Sequence, residues 1–266
     1  MFLLSIIVIS ALMGAVVGLL AGLLGIGGGL IVVPVLLMLL PAFGIVAPEH
    51  AMLVAIATSL GSIVITATSS IRAHHKWGNI PWPLASRIML GSAIGAWCVG
   101  YLAHLVDGVV LQRIFAVAVT LIALRMLGSR SVVGKRTLPG NPAIVGVSGV
   151  LGGLASLLGI GGGALFVPVL NYYSVDMKRA IGCAAASGVA IALFGTLGYV
   201  IAGWQQYQLS DGFLGFIYLP AMLGIILTSI FTAPIGARLT QQLPVMKIKR
   251  FFGVFLMLVA VRMFFA

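Results

Sequence analysis

The sequence predicts an all-α integral membrane protein of two inverted repeats, each a glycine-broken helical hairpin plus three transmembrane helices. Three observations predict it: the composition, the length of the apolar segments and an internal repeat. Of 266 residues, 61% are hydrophobic and only 7% are charged, whereas roughly a quarter are charged in a soluble globular protein. Because so few polar side chains cannot cover a water-soluble core, we expect the chain to lie in a bilayer.

Apolar segments follow one another along the whole chain, separated by short polar gaps. Most are long enough to cross about 30 Å of hydrocarbon as a helix. The net charge of +11 comes from Lys and Arg that lie mostly in the gaps or near the ends of the segments, which indicates membrane topology rather than nucleic-acid binding. The segments span residues 3–40, 49–71, 82–104, 111–128, 142–173, 179–202, 213–237 and 245–265.

An internal repeat divides the chain into a first repeat (1–128), a basic linker (129–141) and a second repeat (142–266). Three sequence patterns occur in both repeats and in the same order, so chance similarity is excluded. They are Leu24-Gly25-Ile26-Gly27-Gly28-Gly29 with Val33-Pro34, which recurs as Leu158-Gly159-Ile160-Gly161-Gly162-Gly163 with Val167-Pro168; residues 51–58, which align with 180–187; and Arg113 with Arg125, which recur as Arg250 with Arg262.

The basic residues of the loops predict how each repeat is oriented. If the first and fifth segments each cross the membrane once, these residues divide five to six between the two sides. If each segment instead turns at its glycines and returns, all eleven fall on one side, as the positive-inside rule requires. The eleven are Arg72, Lys76, Arg130, Lys135, Arg136, Lys178, Arg179, Arg238, Lys247, Lys249 and Arg250. The repeats are therefore predicted to be inverted, in a multi-pass protein of the plasma (inner) membrane with both termini outside the cytoplasm.

The two glycine runs are candidate binding sites for a small anion. Consecutive glycines each cost a helix about 1 kcal/mol relative to alanine, and adjacent residues cannot all face one neighbouring helix. A sharp turn here would present the N–H groups of the following helix to a cavity, which favours an anion. Close helix packing is the alternative, and it fits the small-residue ladders at Gly14, Gly18, Gly22 and at Gly91, Gly95. The predicted binding glycines are Gly25, Gly27, Gly28, Gly29, Gly159, Gly161, Gly162 and Gly163.

Hydroxyl side chains form a stripe along the second apolar segment. Thr58, Ser62, Thr66 and Ser69 share one helix face, Ser59 lies beside it and Ser187 is the repeat partner of Thr58. We expect Thr58, Ser59 and Ser187 to bind the substrate and Ser62 and Thr66 to line its pathway, although such hydroxyls also bond back to their own helix. Arg87 either extends to the cytoplasmic surface or attracts anions at the inner mouth.

The chemistry that is missing from the sequence is also informative. All four acidic residues lie in or near loops, whereas cation carriers usually bury a carboxylate in the pathway. The four histidines lie near helix ends and are predicted to be membrane-interface residues. No Ser/His/Asp set, paired carboxylates or metal-ligand spacing occurs, so we predict no enzyme, no metal site and no cofactor.

The doubled glycine–proline motif resembles the TauE/SafE family of sulfite-exporter-like membrane permeases. The resemblance covers essentially the whole chain, including residues 57–60, 74–80 and 236–238. It implies a plasma-membrane carrier for small sulfur-containing anions such as sulfite, sulfonates or related organosulfur acids; the family's name favours export, and the residues leave the direction open. By motif match it places both glycine turns, Thr58, Ser59 and Ser187 at the site. Gly188 stands where the first repeat has Ser59, so the site need not be symmetric.

The sequence thus predicts a secondary transporter whose small anionic substrate binds near mid-membrane and whose surface meets lipid. Broken half-helices at equivalent places in two inverted repeats are typical of such transporters, which work by alternating access. A channel-like permease for a small neutral or thiol-containing solute is the alternative, with the glycines serving only in packing. A membrane scaffold without transport is a third class, which the short loops disfavour.

Overall fold

The computed structural model describes residues 2–24, 28–128, 137–239 and 245–265. This part of the chain is almost entirely helical, and each repeat contributes five α-helices in the same order. The elements are α1 (Phe2–Leu24), α2 (Gly29–Ala42), α3 (Pro48–Lys76), α4 (Trp82–Leu102), α5 (Gly108–Gly128), α6 (Asn141–Leu157), α7 (Gly163–Tyr172), α8 (Met177–Gly203), β1 (Phe213–Leu214), β2 (Ile217–Tyr218), α9 (Leu219–Leu239) and α10 (Val245–Phe265). The antiparallel strands β1 and β2 form one short hairpin between α8 and α9.

Both glycine motifs interrupt a helix, as the sequence predicts. In the second repeat α6 ends at Leu157 because Gly159 adopts a left-handed conformation with φ 62°, which only glycine enters without strain. The N–H of Gly159 then bonds to the carbonyl of Ser156, and that of Ile160 to the carbonyl of Ala155, the bonding pattern of a Schellman helix end. In the first repeat α1 ends at Leu24 and α2 begins at Gly29; Gly25 and Gly27 lie outside the described residues.

The helices that follow the two breaks are too short to cross a membrane. Helix α2 has 14 residues and α7 has 10, or about 21 Å and 15 Å at about 1.5 Å per residue. Six other stretches of the described chain are long and apolar enough to span a bilayer: Ser5–Gly22, Pro48–Lys76, Trp82–Leu105, Gly108–Gly128, Met177–Gly203 and Leu219–Gly236. The chain is therefore a multi-pass helical membrane protein, as predicted.

Glycines bring helices of opposite repeats into close contact. Helix α1 lies along α9 in the same direction, so that Gly14 meets Thr228 and Gly18 meets Thr232. The Thr228 hydroxyl also donates to the carbonyl of Ala11 across this contact, at 2.6 Å. Helix α4 lies along α6 in the same way, where Gly91 and Gly95 meet the α6 backbone. The packing predicted for these four glycines is confirmed.

The two repeats thus exchange helices: the first helix of each repeat packs against the fourth helix of the other, in the pairs α1–α9 and α6–α4. The long helices α3 and α8 contact each other, as do α5 and α10. This exchange binds the two repeats into one bundle. The inverted relation between the repeats and their division at residues 129–141 stay predictions.

The two ends of the bundle differ in charge. At the end we call the basic end, the carbonyl of Asn79 touches Gly182, and the exposed side chains of Lys76, Lys178 and Arg179 lie within about one helical turn of this contact. At the opposite end, here called the acidic end, Gly108 touches the backbone of Glu49, and exposed Asp107 directly precedes Gly108.

Candidate functional site

A cavity lies between α1, α3, α8, α9 and the turn that precedes α7. The centres of water-sized molecules can occupy about 60 Å³ of it, and its empty space together with the open solvent at its mouth amounts to about 630 Å³. It extends from the Gly161–Gly162 turn to His74 in the last turn of α3, which places its mouth at the basic end. Its lining is made of small and hydroxyl side chains together with one imidazole: Ala21, Gly22, Ile63, Thr66, Ala67, Ser69, Ser70, Ala73, His74, Gly161, Gly162, Ala184, Ala185, Gly188, Ala233 and Pro234.

Helix α3 supplies the polar wall of this cavity. Thr66, Ser70 and His74 follow one another at four-residue intervals, which places them on one helix face. The Thr66 hydroxyl is almost buried and bonds back to the carbonyls of Ser62 and Ile63 at 3.4 Å and 3.2 Å. Both bonds are long for an O–H donor, whose usual distance is about 2.7–2.8 Å, so this hydroxyl can turn toward a ligand at small cost.

The second glycine turn supplies a backbone wall. Gly162 lies so close to α8 that a Cβ atom there would overlap the hydroxyl of Ser187 and lie 2.7 Å from the carbonyl oxygen of Ala184. Only glycine lets the turn approach α8 this closely. Helix α7 begins one residue later, at Gly163, and the first N–H groups of a helix have no acceptor within it. The turn therefore brings the backbone of two largely buried glycines to the cavity wall beside the positive end of a helix dipole.

Beside the cavity, the two glycine motifs pack on each other near the middle of α3. The Ser59 hydroxyl donates to the carbonyl of Gly159 at 2.8 Å, and the Ser59 side chain is buried. A Cβ atom on Gly29 would overlap that same carbonyl, and one on Gly28 would overlap Val17 of α1. Gly28 and Gly29 are therefore enclosed by protein, whereas Gly161 and Gly162 line the cavity.

The remaining predicted site residues lie outside the cavity: one faces the β hairpin, two bond within their own helices, and two lie on α4 and at the start of α7. Thr58 accepts a hydrogen bond from the N–H of Tyr218 at 3.0 Å, on the side of α3 that faces the β hairpin. Ser62 and Ser187 donate to carbonyls of their own helices, Ser59 at 2.7 Å and Ala184 at 3.0 Å. Arg87 is half-buried on α4 and does not line the cavity. Gly163 is buried at the start of α7.

Of the predicted residues, the structure therefore brings Thr66, Gly161 and Gly162 together at one cavity, with Ser187 directly behind Gly162. Thr58, Ser59, Ser62, Gly28, Gly29 and Gly159 form a buried layer next to it. No group of three potential metal-ligating side chains occurs in the described part of the chain.

His74 is a cavity residue that the sequence analysis assigned to the membrane interface. Its Nδ1 atom is buried without a hydrogen-bond partner among the described residues, and its ring meets the Trp77 ring edge-on, with 5.8 Å between centroids. Its four-residue register with Thr66 and Ser70 was a signal available in the sequence. Its position in the last turn of α3 concealed this, because His75, Lys76 and Trp77 directly after it are exposed, whereas His74 lines the cavity.

The acidic end of the molecule is closed by aromatic side chains around the β hairpin. Tyr207 stacks on Phe213 with 4.6 Å between ring centroids and meets Phe216 edge-on. Phe216 packs on Gly203 at the end of α8. Burial, and secondarily the carboxylate of Glu49, raises the pKa of Tyr207. Among the described residues, the cavity thus lies toward the basic end and the aromatic cluster at the acidic end.

Comparison with known proteins gives a consistent result. Residues 10–263 match the family described as sulfite exporter TauE/SafE. A probable membrane transporter protein of Haemophilus influenzae is 40% identical over 97% of this chain and 98% of its own. A probable membrane transporter protein of Methanocaldococcus jannaschii is 28% identical over 87% of this chain and 85% of its own. No solved structure matches.

Proposed function

Because the chain belongs to the sulfite exporter TauE/SafE family, and its relatives are named as membrane transporters, we propose that it exports small sulfur-containing anions by alternating access. Sulfite, sulfonates and related organosulfur acids are the substrate class, and the protein acts as a secondary transporter. It is a transporter and not an enzyme, in agreement with the names of these relatives.

One observation carries the proposal: the cavity ends on the Gly161–Gly162 turn, directly before the N-terminus of α7. A sulfonate or sulfite group has several oxygens that can accept hydrogen bonds, and backbone N–H groups and the helix dipole favour its negative charge. The Thr66 hydroxyl adds a donor on the facing wall. No carboxylate is among the described residues of the lining, so none of these side chains repels an anion.

The mechanism follows from the two unequal ends of the bundle. With the basic end in the cytoplasm, as the positive-inside rule requires, the described arrangement receives substrate from the cytoplasm. Release of the anion on the opposite side of the membrane then requires the acidic end to open around Thr58 and Tyr218 while the mouth at His74 closes. In inverted-repeat transporters such an exchange is a movement of one repeat against the other around a central site.

We expect Thr66→Val to reduce transport while leaving the fold intact. Valine has nearly the shape of threonine and lacks only the hydroxyl. A hydrogen bond to a charged group contributes about 1.5–3 kcal/mol, so flux of labelled sulfite into reconstituted vesicles at low substrate should fall about tenfold or more.

Thr68→Val is the matched control, because the half-buried Thr68 hydroxyl donates to Val64 at 2.6 Å and lies outside the cavity. Equal flux in the two variants would contradict the assignment of the site. Flux of neutral solutes without competition by sulfite or sulfonates would instead support the channel-like permease, which the many alanines of the lining favour.

A further inference from the structure

His74 lines the cavity, and the proposed function assigns it no role in binding the anion. His74 is the only titratable side chain among the described residues that line the cavity. The residues facing it across the cavity are Ala21 and Gly22 of α1, Ala184 and Ala185 of α8 and Pro234 of α9. None of these can balance a charge or satisfy an imidazole nitrogen through its side chain.

Two other histidines at helix ends have hydrogen-bond partners, unlike His74. The adjacent His75 is exposed, and its Nδ1 accepts a hydrogen bond from Trp82 Nε1 at 3.2 Å. His104 makes a 2.6 Å contact from Nδ1 to the carbonyl of Tyr101. In His74 the same atom is buried and unpartnered among the described residues. A buried polar nitrogen without a partner is uncommon in proteins and calls for an explanation.

The charged side chains described around the mouth are mostly positive. The one carboxylate described there, that of exposed Asp176, caps α8 by accepting from the N–H of Lys178 at 3.1 Å. A proton added to His74 would therefore join an end that is already rich in positive side chains. A bound anion reverses this balance. The basic neighbours are Arg72, His75 and Lys76 on α3, Lys178 and Arg179 at the start of α8, and Arg238 one turn after Pro234 on α9.

We propose that the imidazole of His74 binds the transported anion and is charged only while the anion is bound. A proton from water at the basic end joins a ring nitrogen as the anion enters, giving an imidazolium–anion pair, and it returns to water when the anion leaves. The inference rests on the proposed function of the cavity, and it adds that anion binding takes up a proton.

The test is anion binding as a function of pH, with the full chain in lipid nanodiscs and ethanesulfonate as the probe. The charge of this probe is constant between about pH 5.5 and 8.5, because it has no group that titrates there. Once the pH exceeds the midpoint of His74 in the complex, linkage requires the affinity to fall by up to about tenfold per pH unit. Calorimetry in buffers of different ionisation enthalpy should show uptake of up to one proton per anion.

Three variants separate His74 from its surroundings. His74→Gln should weaken binding about tenfold at about pH 6 and remove its pH dependence, as expected for loss of one charge-assisted hydrogen bond. His74→Arg should bind with no pH dependence over the same range, because its charge is permanent. His75→Gln, the adjacent control, should match the unmodified protein. With ¹⁵N-labelled imidazoles, the signal absent from His74→Gln should titrate at higher pH when ethanesulfonate is present.

Each outcome decides between the two proposals. Binding that does not depend on pH, or a dependence that survives in His74→Gln, would overturn the role of His74 and leave the transport site in place. Absence of ethanesulfonate binding at every pH, together with absence of sulfite flux, would overturn the proposed function and this inference with it.

Discussion

At the scale of single residues, the same chemical groups serve packing in one place and the cavity in another. Ser59 and Thr66 are hydroxyl residues of one helix, seven positions apart, yet Ser59 holds the second glycine turn and Thr66 faces the cavity. The difference comes from which neighbours each side chain meets. The hydrogen bond from Ser59 to Gly159 therefore positions the backbone wall of the cavity.

Ser59→Ala is expected to lower the free energy of unfolding by about 1–3 kcal/mol, because it leaves the buried carbonyl of Gly159 without this donor. Thermal unfolding in detergent, followed by circular dichroism, measures the loss. Ser62→Ala is the control, since the Ser62 hydroxyl only donates to the carbonyl of Ser59 in its own helix, which is already in the helix ladder. A loss in Ser62→Ala as large as that in Ser59→Ala would contradict the role of the Ser59–Gly159 bond.

At the scale of helices, backbone-to-backbone approach determines how the two repeats are joined. The contact between α4 and α6 is close enough that Gly95 touches the carbonyl of Gly149. In a membrane, where lipid competes for apolar side chains, such close packing is a main source of helix association. The two glycines of this contact are not equivalent, which allows a direct test.

Gly95→Ala should destabilise the protein by about 1–3 kcal/mol, as overpacking does, because its Cβ atom would overlap a backbone carbonyl that cannot move aside. Gly149→Ala should be neutral or slightly stabilising. Its Cβ atom would lie 3.5 Å from its nearest neighbour, the carbonyl of Gly91, and alanine favours the helix by about 1 kcal/mol over glycine. Melting temperatures of the two variants provide the measurement, and equal values would argue against so close a contact between α4 and α6.

At the scale of the whole molecule, the charge difference between the two ends predicts its orientation in the membrane. Among the described residues, Lys76, Lys178, Arg179 and Arg238 lie at the end with the cavity mouth, together with Asp176, whereas Glu49, Asp107 and Asp211 lie at the end with the β hairpin. From the positive-inside rule we expect the mouth to lie in the cytoplasm and both termini outside it.

This orientation predicts the labelling of single cysteines introduced after Cys98 and Cys183 have been replaced by alanine. Asp211→Cys, exposed at the acidic end, should react with a membrane-impermeant maleimide in intact spheroplasts. Lys178→Cys, exposed at the basic end, should react only after permeabilisation. The opposite pattern would place the mouth outside and reverse the direction of access.

Some of these properties follow from the amino-acid sequence alone. The membrane location, the helical class, the breaks at the two glycine motifs and the family all depend on composition, segment length and local backbone preference, which act within short stretches of chain. For the same reason the glycine ladders at Gly14 and Gly95 could be assigned to packing before their partners were known.

The neighbours of the glycines in the two motifs were decided only by the tertiary structure. Gly28 packs against Val17 and Gly29 against Gly159, whereas Gly161 and Gly162 line a cavity; Gly27, the repeat partner of Gly161, lies outside the described residues. His74 likewise looks like an interface residue until α1, α8 and α9 are placed around it. Whether a polar group meets a cavity, a neighbouring backbone or lipid depends on contacts between residues far apart in the chain, and no local pattern records those contacts.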